Sequence, residues 1–491
     1  MLFNSWTFLV FLVAVFLPYY FGPRWLSGTT TGQISLLTVA SFVFYGWASP
    51  WLVPLLMVST AINAEAARRM LLPNAAPAAR KRALVAALCF NLGALGLFKY
   101  AGLFAQMLLP ASLWARWGGT LGSIPLPIGI SFYTFQGISL VMDIYRGGAA
   151  GVPGIGDVTG RHGAWWLHLR VWFFKAFFPQ LIAGPIVKAH EFIHQIGLKR
   201  FRDLPWDTAV KHLIAGFFLK MVVADNLKEA TNLIAYPAFV GAPAVNLIAA
   251  LYGFSFQIFA DFAGYSLIAL GLAELFGYRL VPNFYWPYLS ASITEFWRRW
   301  HVSLSSWLRQ YLYIPLGGNR LGSGRTYVNL FIVMFLGGLW HGAAWSYAIW
   351  GSAHGILLAL ERLCGVQAPD PTGPIRWNFL RAVRVFVIFS VVSLLWLLFK
   401  LPDIRHVGIY LQEIATLRGG AYPQPLFVLG LFGLPVVLLH MVMASDGLRR
   451  RLFADVREAR WVWVESALYA GMLFLILVNA GTAGEFIYFQ F

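Results

Sequence analysis

The sequence predicts an all-α, polytopic integral membrane protein with about 10–13 transmembrane helices and re-entrant or interfacial helices between them. Three observations carry this. First, 59% of the 491 residues are hydrophobic and 12% charged, against about 25% charged in a soluble protein, and mean hydropathy is +0.66. That much apolar surface cannot all be buried inside one globule, so the natural solvent is a bilayer. Second, apolar segments near the ~20 residues needed to span recur along the whole chain. Third, Pro and Gly interrupt several of them, as in LPIGISFYTF (126–135) and LIAGPIVKAH (181–190). Broken backbone at membrane depth is tolerated only where it is buried in protein or lines a cavity, which points to an internal chamber.

The chain opens MLFNSWTFLVFLVAVFLPYYFGP, with no charge before Arg24. It lacks the positive n-region and small-residue cleavage site of a signal peptide, so 6–22 reads as the first membrane helix. Further apolar segments centre on 34–48, 51–66, 83–98, 125–145, 165–184, 207–224, 244–260, 262–276, 327–345, 347–364, 380–400, 426–444 and 464–482. Lys and Arg total 37 against 20 Asp and Glu, a net charge of +17. In a membrane protein that excess marks cytoplasmic loops rather than a nucleic-acid surface. Placing the first basic cluster (Arg68, Arg69, Arg80, Lys81, Arg82) inside puts the N-terminus of this multi-pass protein outside, with Arg24 inside. The basic stretches 188–211, 298–325 and 449–460 fit the same face. The chain reads as one integral domain, 1–491, with the core that carries its candidate chemistry at about 120–365 and no visible repeat. The Gly-rich loop 147–164 lacks the GK[ST] ending of a P-loop. Cys89 and Cys364 form no disulfide framework or zinc motif.

Chemistry is expected in three places. The stretch 326–360 holds no Asp, Glu, Lys or Arg, yet contains His341 and His354. An ionisable side chain at membrane depth is a functional hypothesis by default. His341 lies in FLGGLWHGAAW, where glycines leave room for a ligand or for a closely packed helix; Gly338 and Gly342 form a small-xxx-small pattern. The second place is EFWRRWHVSLSSWLRQYLYIPLGGNR (295–320). On a continuous helix Trp297 and His301 share a face, and Glu295 pairs with Arg298 or Arg299. Arg forks and aromatic faces suit phosphates and adenine rings, though an interfacial belt with snorkelling arginines has the same composition. His301 and His341 form the candidate pair, since a neutral imidazole takes a proton near pH 7. The third place is Asp261, the one charge between Glu229 and Glu274, which would pair with an Arg, join a polar network or carry a proton. His190 and His194 stand at i,i+4 without a carboxylate set, so no metal site is expected.

These residues also carry a resemblance. SITEFWRRWHVSLSSWLRQYLYIPLGGNR followed by NLFIVMFLGGLWHGAAWSYAIWGSAHG closely resembles the membrane-bound O-acyltransferase (MBOAT) family, in its AlgI-like branch of polysaccharide O-acetyltransferases. LPIGISFYTFQGISLVMDIYRG, FFPQLIAGPI, GFFLKMVVADNL, VPNFYWPYLSASI and the terminal FIYFQF support it, so that the similarity runs from about residue 40 onward. The resemblance implies an MBOAT-type helical fold pinched around a central tunnel. An acyl donor, acetyl-CoA as substrate with no bound cofactor, would enter from the cytoplasm. The acceptor, a polysaccharide such as alginate or cellulose or a periplasmic acyltransferase partner, would reach the same reaction point from the far side of a bacterial inner membrane, whose lipid surrounds the protein. It implies His341 as general base and His301 as the second site residue. Arg298, Arg299, Arg309 and Arg320 would hold the phosphates of CoA, beside Trp297 and Tyr313. His301, Asn319 or the Trp340 indole would donate to the oxyanion. Asp261 matches an acid in relatives. The chain departs from them at Leu267, where many carry Asp after Gly264, Tyr265 and Ser266, and at Gln180, where some carry His.

Two competing readings remain at this level. A transporter or flippase for a lipid-linked or small anionic substrate shares the broken helices and basic face, but should often show inverted repeats. Acyl transfer to peptidoglycan or teichoic acid from a carrier protein would keep the site and change donor and acceptor.

Overall fold

The structure, a computed structural model, describes residues 1–491 apart from 48, 111, 114–124, 157, 183, 368, 374, 446–458, 482–485 and 487–491. The expectations for the basic stretch at 449–458 and for most of the terminal FIYFQF lie outside the described residues. The described residues form helices and connecting turns, with no strand among them. The principal helices are α1 (Trp6–Phe21), α2 (Thr30–Gly46), α3 (Val53–Leu71), α4 (Pro77–Leu95), α5 (Ile130–Gly147), α6 (Gly160–Ala176), α7 (Trp206–Phe217), α8 (Ala244–Leu275), α9 (Ile293–Arg299), α10 (Val302–Leu308), α11 (Ser323–His341), α12 (Trp345–Leu363), α13 (Phe379–Lys400), α14 (Ile404–Ala415), α15 (Pro423–Ala444) and α16 (Ala459–Val478). The chain divides into two compact units, 1–210 with 269–281, and 211–268 with 282–491.

Among the described residues five helical runs are both long and apolar enough to cross a membrane: 77–108, α8, α13, α15 and 461–478. The shorter α1 is also apolar. Helix α15 shows how sequence becomes orientation. Phe427, Leu431, Leu434, Leu438 and Met441 form an exposed stripe, while Leu429, Gly433, Val436, His440 and Ala444 form a buried one. Both stripes follow the 3.6-residue period. The outer one is as apolar as the inner, as lipid contact requires.

Helix α8 differs. Its most apolar window is 83% buried, against 6–33% in the other long apolar runs. It is one continuous helix of 32 residues, which corrects the expectation of separate segments at 244–260 and 262–276. Gly264 does not break it. A Cβ there would meet the Gly216 carbonyl oxygen at 2.9 Å, so the glycine serves close packing.

In the first unit the predicted breaks are present. Helix α5 begins at Ile130 after Gly129, whose φ of +74° only glycine adopts cheaply. After the short turn Phe178–Leu181 the chain through 185–188 is irregular and buried in protein. Such backbone is permitted at membrane depth only under those conditions. Polar groups inside this unit pair with one another: Lys175 donates to Ser59 at 2.8 Å, and Asn63 and Asn91 exchange side-chain hydrogen bonds. His190 hydrogen-bonds Asp143 at 2.8 Å while His194 contacts the His190 carbonyl, so the i,i+4 pair does not converge.

In the second unit α11 and α12 pack backbone to backbone. A Cβ on Gly351 would strike the Met334 carbonyl oxygen and lie 3.0 Å from the Gly338 Cα, and one on Gly355 would lie 3.1 Å from the Phe331 Cα. Of the glycines around His341, Gly338 therefore serves the close helix contact, while Gly342 lies beyond the helix end, where a Cβ would strike the Tyr347 ring. Gly351→Ala is expected to cost about 1–3 kcal/mol by overpacking. Gly408→Ala, where a Cβ meets nothing within 4 Å, should be near neutral. Thermal melts of the two variants in detergent check the contrast.

Candidate functional site

Helix α9 is short, and its position is set from both ends. At its start the Ser292 hydroxyl accepts from the Glu295 N–H at 3.0 Å. The Glu361 carboxylate of α12 accepts from the Thr294 N–H and hydroxyl, each at 2.7 Å, and from the Ile293 N–H. A carboxylate on free N–H groups at the positive end of a helix is stabilising. At its other end α9 stops at Arg299. Trp300 is extended and His301 takes φ +45°, ψ +53°. A non-glycine residue in this left-handed region costs of order 1–3 kcal/mol and persists only where its surroundings enforce it. Two backbone bonds do so: the Tyr285 N–H to the Arg299 carbonyl and the Val302 N–H to the Asn283 carbonyl, both 2.9 Å. The Asn283 side chain donates to Ser266 of α8 at 3.0 Å and accepts from Ser303 of α10 at 2.6 Å, so one residue ties the turn to α8.

This turn places the fully buried His301 ring edge-on to Phe262, with centroids 4.7 Å apart, and 6.0 Å from Trp340. His341 is the last residue of α11, which ends where Gly342 becomes extended. Its ring lies 4.9 Å from Trp340, 5.3 Å from Trp350 and 4.9 Å from Phe399. The two predicted histidines are thus brought against one indole, that of Trp340. The predicted helical face shared by Trp297 and His301 does not exist, because the helix breaks between them. Trp297 instead donates from Nε1 to Nδ1 of His354 at 3.3 Å.

The arginines separate by burial. Arg299 is buried on Glu295 at 3.0 Å and donates to the Tyr285 carbonyl at 3.0 Å; Glu295 also binds Arg381 at 2.7 Å and the Ala291 N–H at 2.9 Å. Arg299 is therefore an anchor of α9 and is not presented to a ligand, a correction to its expected place among phosphate ligands. Arg298, Arg309, Asn319 and Arg320 are exposed, and Tyr313 is half-buried. The turn carrying Asn319 and Arg320 is shaped by Gly317 and Gly318, both at positive φ, and by Asn329 of α11, which donates to the Gly318 carbonyl at 2.9 Å. Exposed Asp370 in the loop after α12 is held below its ordinary carboxylate value by the Thr372 N–H and hydroxyl, with the Arg299 and Arg298 charges adding to this.

Asp261 of α8 accepts from Lys220 at 2.8 Å, and Lys220 also binds Asp225 at 2.7 Å; all three are nearly fully buried. The expected Arg partner is thus a Lys. Asp261 holds this triad, while its neighbour Phe262 supports His301. Asn283, Glu361, Arg381, Lys220 and Asp225 were not among the predicted residues. Glu361 ends the charge-free stretch, a signal that the sequence does carry; Asn283 has none, being a polar residue among aromatics. Among the described residues no three His, Cys, Asp or Glu side chains gather as a metal site. Lys220→Met leaves two buried carboxylates without their cation and should cost about 3–5 kcal/mol. Neutralising all three positions (Lys220→Met, Asp225→Asn, Asp261→Asn) should recover most of that loss, as read by melting temperature.

The membrane-bound O-acyltransferase family model matches residues 169–404, which include this whole site. The chain is 36% identical over 465 residues to a probable alginate O-acetylase AlgI of Pseudomonas aeruginosa, covering 92% of this chain and 82% of that protein. A second probable alginate O-acetylase AlgI, from Pseudomonas putida, is 35% identical over 466 residues, covering 91% and 88%. The peptidoglycan O-acetyltransferase of Helicobacter pylori is 32% identical over 438 residues, covering 85% and 80%. Likeness on this scale, together with the multi-pass helical fold, means that the chain belongs to the membrane-bound O-acyltransferase family and is an O-acyltransferase.

Proposed function

We propose that this protein takes an acetyl group from cytoplasmic acetyl-CoA and passes it across the inner membrane for O-acetylation of an exopolysaccharide such as alginate or cellulose, directly or through a periplasmic acyltransferase partner. The observation that carries this is the convergence of His301 and His341 on the Trp340 indole. The names of the Pseudomonas relatives support a polysaccharide acceptor. The Helicobacter relative keeps peptidoglycan as the second candidate.

His341 accepts the proton of the acceptor hydroxyl as its oxygen attacks the thioester carbonyl. The oxyanion is stabilised by an N–H from His301 or Trp340, then collapses, the C–S bond breaks, and the thiolate of CoA takes up the proton that His341 holds. The aromatic walls around His341 keep water from the thioester. Exposed Arg298, Arg309 and Arg320 hold the phosphates of CoA on the cytoplasmic side. The first basic cluster, Arg68 to Arg82, lies on the same cytoplasmic side in this reading, which puts the N-terminus on the periplasmic side.

The test is transfer from radiolabelled acetyl-CoA by purified protein in detergent, with membrane extract supplying acceptor and partner. His341→Ala should lose about 10²–10⁴-fold in rate at an unchanged melting temperature. A well-folded wild type that neither releases CoA nor transfers label would overturn the acetyl-CoA reading in favour of a carrier-protein donor.

A further inference from the structure

His354 is fully buried on α12 and plays no part in the chemistry above. Its surroundings fix its protonation. An indole N–H can only donate, so Nδ1, which faces Trp297 Nε1 at 3.3 Å, is an acceptor. The imidazole is therefore neutral and its proton is on Nε2. That Nε2 is buried without a hydrogen-bond partner among the described residues. The same holds for Nε1 of Trp350, whose ring lies 4.8 Å from His354, and for Nε1 of Trp396, stacked on Trp350 at 5.5 Å. Trp350 in turn touches His341. A buried donor left unpaired is destabilising, and three share one aromatic cluster beside the proposed base.

The chemistry of the cluster selects its ligand. Indole N–H and imidazole N–H at these positions are donors only, so the ligand must accept. None of the three rings carries a charge, which disfavours phosphate or carboxylate. A hydroxyl would leave its own hydrogen unsatisfied among donors. What remains is a neutral carbonyl. Its place along the substrate follows from distance: Trp350 stands between His354 and His341, so His354 serves a carbonyl removed from the reacting one.

We propose that His354 Nε2–H is the binding contact for an amide carbonyl on the pantetheine arm of the acyl donor, one indole away from His341. This rests on the thioester-donor reading above. His354 is a donor-binding residue, and its loss acts on affinity more than on turnover.

Two isosteres separate this from a purely structural role. The amide nitrogen of Gln reaches the position of Nε2, whereas Asn reaches only that of Nδ1 and can do no more than partner Trp297. The probes are a non-hydrolysable thioether of acetyl-CoA and the matching thioether of pantetheine, titrated into wild type, His354→Gln and His354→Asn, each with a melt. The expected result is affinity within about 3-fold of wild type for Gln and an approximately 10-fold loss for Asn, with both probes, one hydrogen bond being worth about that factor. In turnover the Asn variant should show the loss in KM rather than kcat. Wild-type affinity in Asn with loss in Gln would overturn the proposal and leave His354 as an anchor for Trp297. Wild-type affinity in both variants would overturn it too, as would a loss seen with the CoA probe alone, which would place the contact at the nucleotide. Failure of wild type to bind the CoA probe while binding the pantetheine probe would instead remove acetyl-CoA as donor, and the pantetheine titrations of the two variants would then by themselves uphold or overturn the His354 contact.

Discussion

The histidine site depends on how the chain turns through His301. A helix continuing from α9 would have carried His301 onto the face of Trp297, as the sequence spacing suggests. Instead the chain leaves helical geometry at Trp300 and enters the left-handed region at His301. The enforcing contacts are few: two backbone bonds to 283–285 and the Asn283 side chain between Ser266 and Ser303. The strain is offset by those bonds and by aromatic burial against Phe262. Its consequence is that one ring, Trp340, borders both imidazoles, although the turn between α9 and α10 and the end of α11 bring them from different parts of the chain.

A second constraint is the cost of buried charge. In this unit each strongly buried charge described above is matched by an opposite one. Glu295 takes Arg299 and Arg381, and Lys220 takes Asp225 and Asp261. Ion pairs of this kind are weak evidence for added stability but are damaging when broken. They fix α9 and the α8 segment behind Phe262 in place. Among the arginines of 295–320, Arg299 is taken up as an anchor while Arg298, Arg309 and Arg320 stay exposed.

Much was legible in the sequence because it depends on composition and period. Helical membrane architecture follows from apolar segments, and the lipid-facing stripe of α15 follows from 3.6-residue spacing. The two candidate histidines stand out because ionisable residues in apolar stretches are rare, and the flanking motifs resemble a family. The broken segments at 126–135 and 181–190 announced themselves through Pro and Gly. What the period could not supply was the break at Trp300. Nothing in FWRRWHVS marks it, since the residues that impose it lie at 266, 283 and 285. The same holds for Lys220, which is unremarkable until Asp225 and Asp261 surround it.

The sequence by itself determined the solvent of this protein, its helical class and its family, and it singled out the two candidate histidines. Each is a local or compositional property, recorded wherever an apolar run or a charged exception occurs. Tertiary structure alone decided which arginine is an anchor and which is presented, that Asp261 meets a lysine, that α8 is unbroken, and that His354 accepts at Nδ1 and so carries its proton at Nε2. These are matters of partnership between side chains distant in sequence. The free energy of a buried polar group is set by the atom opposite it, and only the fold says which atom that is.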